Sequence, residues 1–169
     1  KEGQSKREDY EYEKHGSCCV LLAFEPHTGK RWVKVYAQRT AKEYTDFMQF
    51  LAKQFPQAEA ITLVQDNLNT HQGGSFYKHL DPADAFTLAQ RFDWLYTPKH
   101  ASWLNMAELE FSALSRQCLN RRIASQPRLE SEVLAWTKDR NDARISVSWQ
   151  FSIDSARTKL ARHYNAVKT

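Results

Sequence analysis

The sequence predicts an α/β fold, a mixed central sheet flanked by helices, with residues 1–169 forming one domain. Three observations predict it. An alternating apolar hairpin comes first, an amphipathic helix follows it, and a short β-rich run then ends on Asp66-Asn67. Hairpin, helix and strand in that order imply a crossover that brings the new strand into the same sheet, parallel to a neighbour.

The hairpin is read from the apolar run Cys18 to Phe24, the turn residues Pro26 to Gly29, and Arg31 to Ala37, where Trp32, Val33, Val35 and Tyr36 are interleaved with basic residues. Glu25 ends the first run beside Pro26 and reads as a turn residue. Thr40 and Glu43 have the spacing of a capping box, and Tyr44, Phe47, Met48, Leu51 and Phe55 follow at helical intervals. This predicts a helix over 41–55 that Pro56 stops. Ala60 to Gln65 is a short buried strand, which puts Asp66 at its C-terminal end, the edge of an open α/β sheet where loops gather groups from several strands. Gly73-Gly74 breaks the chain, and Ser75 to Leu80 is read as one helical turn. Asp81-Pro82, an N-cap and a first-turn proline, starts a helix to Arg91. Phe92 to Thr97 is a second strand, closed by Pro98. Helices are expected over Ser102 to Asn120, over Pro127 to Asp139 with Leu129, Val133 and Trp136 inward, and over Asp154 to Tyr164. Residues 1–14 are dense in charge and carry no such pattern.

Composition limits the function classes. The chain is 41% hydrophobic with 5 Gly and 5 Pro, and no apolar run approaches the roughly 18 residues a membrane span needs, so no membrane partner is expected. No basic segment followed by an apolar one opens the sequence, and the chain reads as a processed or excised piece. Cys18, Cys19 and Cys118 are odd in number and two are adjacent, which suits reduced thiols in the cytoplasm; no C-x-x-C or H-x-x-x-H spacing supports zinc. Net charge is +4, distributed as −1 over residues 1–96 and +5 over 97–169. The basic half, with Arg116, Arg121, Arg122, Arg128, Arg140, Arg144, Arg157, Lys159 and Arg162, is a footprint for a phosphate backbone or a set of solvated helix faces.

Two carboxylates stand where the pattern prefers apolar groups. Asp66 is either an Asx-turn or helix cap for the segment after it, or a hard oxygen ligand for a divalent cation at a strand edge. Glu108 and Glu110 flank the stripe formed by Leu104, Ala107, Phe111, Leu114 and Cys118, one on each side. Glu108 is the one expected at the core edge. It reads either as a boundary glutamate favoured by the helix macrodipole or as a second ligand.

The stretch Val64-Gln65-Asp66-Asn67-Leu68-Asn69-Thr70-His71, followed by Tyr96-Thr97-Pro98-Lys99-His100-Ala101-Ser102-Trp103-Leu104-Asn105-Met106-Ala107-Glu108, resembles the second and third motifs of mariner-like DDE transposases of bacterial insertion sequences. Leu114 to Arg122 and Trp149-Gln150-Phe151 with the residues after it are similar to the same family, and the resemblance runs from about Asp9 to the end. It implies an RNase H-like fold in which three carboxylates hold two Mg²⁺ or Mn²⁺ ions about 3.5–4 Å apart for in-line attack on a phosphodiester. By motif, Asp66 is the second acidic ligand and Glu108 the third. Asn67 and His71 are near-site residues without an assigned step. DNA, as transposon ends and target, is the implied partner, and the nucleoid the implied place of action.

The resemblance also implies what to look for outside these residues. The family's first aspartate sits on a strand preceding the Cys18 hairpin, upstream of Lys1, and its helix-turn-helix region precedes that. Asp9 and Glu13 lie in the polar lead-in and do not replace it. Cleavage by this chain alone is therefore expected to be impaired, and the exposed sheet edge to serve for homodimerisation or for binding another segment. A non-enzymatic nucleic-acid-binding derivative of a transposase is the rival reading. A resolvase-like nuclease is a third, against which the Leu104-Asn105 to Glu108 element argues.

Overall fold

A computed structural model describes residues 16–66, 73–98, 105–148, 152–155, 157–158 and 161. Its elements run β1 (Cys19–Glu25), β2 (Lys30–Tyr36), α1 (Ala41–Gln54), β3 (Ile61–Gln65), a 3₁₀ segment (Gly73–Lys78), α2 (Pro82–Gln90), β4 (Phe92–Tyr96), α3 (Met106–Leu114), a π-helical turn (Ser115–Leu119) and α4 (Gln126–Asp142).

β1 and β2 form the expected antiparallel hairpin, with Cys19 opposite Tyr36 and Glu25 opposite Lys30. Gly29 adopts φ +69 in its turn, a backbone conformation that favours glycine, and a Cβ there would make a tight 3.0 Å contact with the Ile145 carbonyl oxygen. Glu25 acts as the turn residue: its carboxylate accepts from Thr28 Oγ1 at 2.5 Å and its carbonyl from the Gly29 N–H. α1 carries the capping box in full, Thr40 accepting from the backbone N–H of Lys42 while Glu43 takes both the Thr40 N–H and its hydroxyl.

The sheet differs from the expected one. Among the described residues the strands form two separate pairs, β1 with β2 and β3 with β4. The parallel partner of β3 is β4, in register from Ile61–Phe92 to Gln65–Tyr96, and not a strand of the hairpin. The crossover that makes them parallel is the 3₁₀ segment with α2. The two pairs nevertheless share one apolar layer. Leu21, Ala23 and Trp32 from the hairpin, and Ile61, Leu63, Phe92 and Trp94 from β3 and β4, all pack on a cluster of Tyr44, Phe47, Met48, Leu51, Phe76, Ala85 and Leu88. Each fully buried side chain of this kind contributes about 1.5–3 kcal/mol.

The opposite face is covered unevenly. Val20, Leu22, Val33 and Val35 meet Phe111, Leu114, Cys118, Leu129, Val133 and Trp136 of the α3–α4 layer. On β3 and β4 the same face leaves Val64 at 50% and Leu95 at 54% exposure. α3 begins at Met106 rather than at Ser102, because Asn105 holds extended backbone (φ −81, ψ 114) and caps the helix, accepting from the Ala107 N–H. Asp81 occupies its cap position without a side-chain cap hydrogen bond, and α4 runs three residues beyond the predicted Asp139. Of the expected helix over 154–164, residues 154, 155, 157, 158 and 161 are described, all helical. The Trp149 to Phe151 stretch lies outside the described residues.

One interaction ties the layers together. Arg31 on β2 and Glu110 on α3, each 1% exposed, form a bidentate ion pair through Nε and Nη2, the latter bond 2.8 Å long. Nη1 donates to Gly29 O at 2.6 Å and Nη2 to Ile145 O at 2.7 Å, while Arg140 adds a second cation 3.2 Å from Glu110 Oε1. The expectation that Glu108 lies closer to the core than Glu110 is thereby reversed. Glu110 is the buried acid because two arginines compensate its desolvation, and Glu108 is exposed.

Breaking this pair from one side leaves an uncompensated buried charge. Arg31→Met or Glu110→Ala is expected to cost about 3–5 kcal/mol in urea unfolding, and the double variant less than the sum of the two. Burial pushes the Glu110 carboxyl up, but the hydrogen bonds and charge of Arg31, joined by Arg140, outweigh it and hold the group below its ordinary value. A depressed folded pKa gives stability that is complete above the unfolded value, about 4.3, and is lost as pH falls through the folded one. Urea midpoints measured from pH 7 down to 3 should fall more steeply for the parent chain than for Glu110→Gln.

Candidate functional site

A cleft of about 500 Å³ lies between the two strand pairs. β1 contributes Cys19 to Phe24 to its lining, β3 Thr62 to Gln65, and α1 the side chains Tyr44, Phe47, Met48 and Leu51. Asp66, Asn105, Glu108 and Arg39 line it as well. The strand ends that meet there are fixed by two contacts. Tyr44, in the first turn of α1, donates its hydroxyl to Gln65 Oε1 at 2.9 Å, and Cys19 pairs with Tyr36 just before that helix. The N-terminal end of β1 and the C-terminal end of β3 therefore lie at one end of the cleft.

Asp66 is half-buried at that end. Its Oδ1 accepts from Thr97 Oγ1 and from Asn105 Nδ2, both at 3.2 Å. Thr97 is buried just after β4 and donates its backbone N–H to Gln65 O at 3.0 Å, so the loop after β4 is clipped to the end of β3. Asn105 does two things at once: its Oδ1 caps α3 and its amide nitrogen holds Asp66. Glu108, in the first turn of that capped helix, lines the same cleft. The two acids singled out in the sequence thus stand on elements joined by one asparagine. Thr97 and Asn105 were not assigned from sequence; the capping preference of Asn immediately before a helix was the available signal for the second.

Other expected residues fall elsewhere. Asn67 and His71 lie outside the described residues. Among the described residues no group of three or more His, Cys, Asp or Glu side chains is gathered to hold an ion. Asp66 and Glu108 are hard oxygen donors suited to Mg²⁺ or Mn²⁺, and they supply part of a ligand set. The three cysteines are free, Cys118 within the α3–α4 cluster and Cys19 in the cleft wall. Burial pushes the Cys19 thiol up, while the charge of Arg39 pulls it the other way.

The basic C-terminal half is less available than its sum suggests. Arg121 and Arg128 both pair with Glu132, Arg140 is committed to Glu110 and stacks on Trp136, and Arg157 pairs with Asp154. No helix among the described residues is long and apolar enough to cross a membrane.

A profile of the DDE superfamily endonuclease family matches residues 1–130, and the chain belongs to that family. Members of this superfamily are nucleases that act on DNA and typically use divalent metal ions. No curated protein and no solved structure matches the chain.

Because Asn105 serves both the helix cap and Asp66, Asn105→Ala should lower stability by about 1 kcal/mol, the usual worth of a cap. Asn105→Asp retains a capping oxygen but sets a second negative charge against Asp66. It should therefore gain more stability on adding millimolar Mn²⁺ than the parent chain does, read as the shift in melting temperature.

Proposed function

We propose that this chain is an RNase H-like catalytic core of a DNA transposase related to the mariner-like enzymes of bacterial insertion sequences, cleaving phosphodiesters and carrying out strand transfer. The observation that carries this reading is the cleft itself, where Asp66 at a strand end and Glu108 at a helix start face one space and are coupled through Asn105. In this reading Asp66 and Glu108 hold Mg²⁺ or Mn²⁺, and Asn67 and His71 stand near the scissile phosphate. When bound, the metal ions would activate the attacking oxygen and stabilise the leaving one. The protein's own part is positional: Thr97 and Asn105 fix the Asp66 carboxylate, and the capped first turn of α3 fixes the backbone that carries Glu108.

Two carboxylates do not complete a two-ion site, and the third acid is proposed to come on a strand preceding β1. The gap between the sheets supports this. β1 is paired on one edge by β2 and β3 on one edge by β4, and the cleft runs along both strands. Leu21, Ala23, Phe47, Met48, Leu51, Leu63 and Phe111 make it apolar, the environment of a strand buried on both faces. Such a strand would pair on both sides at about 4.8 Å spacing and turn two short sheets into one mixed sheet. Residues 1–15 hold nine charged side chains, a composition unlike that of a strand buried on both faces.

Two measurements test the proposal. Binding of Mn²⁺, followed by the electron spin resonance signal of the free ion, is expected to be weak in this chain and weaker still in Asp66→Asn/Glu108→Gln. Mn²⁺-dependent nicking of supercoiled DNA should be slow for this chain, faster for a version extended through the preceding strand, and abolished in both by Asp66→Ala. Equal nicking by the short and extended chains would mean that residues 1–169 already complete the site.

In this reading the partner is DNA, and the exposed sheet edge serves a second copy of the chain or another segment. With several C-terminal arginines paired internally, binding of a labelled duplex by this chain is expected to be weak and sequence-tolerant. Affinity should fall steeply as salt rises, because phosphate contacts release counterions. A flat salt response, or nanomolar preference for one sequence, would contradict this. It would favour the non-enzymatic nucleic-acid-binding alternative only if the Mn²⁺ tests also failed.

A further inference from the structure

Resting on the reading of the cleft as a metal-dependent phosphodiester site, we infer that Arg39 is a positioning residue that binds a phosphate oxygen of the DNA strand beside Asp66 and Glu108.

Among the described residues Arg39 is the cationic side chain in the cleft lining, which otherwise holds apolar groups, the Cys19 thiol, the Tyr44 and Thr62 hydroxyls, two amides and the two acids. Its place follows from its neighbours in the chain. It follows β2, whose last residue Tyr36 pairs with Cys19, and precedes the Thr40 cap of α1, whose Tyr44 reaches Gln65. That sets Arg39 at the end of the cleft where Asp66 stands, and its charge is felt at the Cys19 thiol.

The chemistry around it leaves the guanidinium available. The nearest carboxylate in sequence, Glu43, is committed to the Thr40 hydroxyl and N–H. Lys34 is committed to Asp46, and Arg31 and Arg140 to Glu110. Arg39 forms no ion pair or hydrogen bond within the described residues, and it is exposed. The fork of an arginine matches two oxygens of a phosphate, and an arginine outside the metal ligands can hold the strand without competing for the ions. The capping box ties the backbone of Thr40, the next residue, to the first turn of α1.

The test compares DNA affinity across salt concentrations for the parent chain, Arg39→Gln, Arg39→Lys and a control, Lys53→Gln, at the far end of α1, using a labelled duplex with Mn²⁺ present. Arg39→Gln is expected to weaken binding about five- to tenfold and to reduce the slope of log affinity against log salt by about one. Arg39→Lys should keep the slope and lose part of the affinity; Lys53→Gln should change neither. Melting temperature and Mn²⁺ binding should be unaltered in all three. An unchanged slope in Arg39→Gln overturns the inference. So does an equal loss in Lys53→Gln, which would mark a diffuse charge effect, or a lowered melting temperature in both Arg39 variants, which would mark a structural role. If Asp66→Asn/Glu108→Gln binds Mn²⁺ as the parent does while Arg39→Gln still loses slope, the phosphate contact stands and the metal reading falls.

Discussion

The buried pair of Arg31 and Glu110 is the constraint on which the geometry of the cleft depends. Removing two charges from water costs several kcal/mol each, and the pair survives because every guanidinium nitrogen finds an acceptor and Arg140 adds a second cation. Such an arrangement tolerates little rotation. Glu110 and Glu108 are two residues apart on α3, about 200° around the helix. Turning Glu110 into the layer against Arg31 therefore turns Glu108 away from it, toward the cleft. The same pair reaches the chain after α4 through Ile145 O, and Asn141 completes the clamp by exchanging two 2.9 Å hydrogen bonds with the main chain of Arg31. Gly29, at φ +69, lies close against Ile145 in the same clamp.

Continuity of α3 with the π-helical turn extends this logic. The wider turn at Ser115–Leu119 buries Cys118 and brings Gln117 Oε1 to 2.8 Å from the Trp136 indole nitrogen and 3.4 Å from Arg140. A π-turn inside a helix is uncommon and costs some hydrogen-bond quality. Here it lets one helix satisfy two registers: its first part is set by Arg31, its last part by α4. The hairpin, α3 and α4 thus form one braced unit, while β3, β4 and α2 join it through α1 and the shared apolar layer.

The local signals were legible in the sequence and the long-range ones were not. The capping box at Thr40 and Glu43, the hairpin with its turn at Glu25 to Gly29, and the strand ending at Asp66 all rest on neighbours within a few residues, and the sequence pattern located them closely. Glu110 was misplaced because its burial is decided by Arg31, 79 residues away, and a helical wheel cannot see a partner that makes a buried charge tolerable. The start of α3 was set too early because the apolar periodicity ran on past the true cap at Asn105. The pairing of β3 with β4 rather than with the hairpin followed from the gap between the sheets. Periodicity gives a strand's faces but not its neighbours.

The way Asp66 is held separates it from the other buried and half-buried acids. Glu132 and Glu110 are neutralised by arginine. Glu25 and Glu43 are held by hydroxyl and backbone groups three or four residues away, within their own turn or cap. Among the described residues Asp66 is held by two neutral donors, 31 and 39 residues distant, one after β4 and one capping α3. Neutral donors orient a carboxylate while leaving its charge largely intact, and a cation already in contact would have compensated it. Bringing distant neutral groups to one half-buried acid does little for helix or sheet stability that an apolar residue would not do better. What it provides, among the described residues, is a fixed carboxylate without a paired cation at one end of a cleft, with the backbone of a second acid held by the same asparagine. In the proposed reading, these two acids are the oxygen ligands that a divalent cation would meet there.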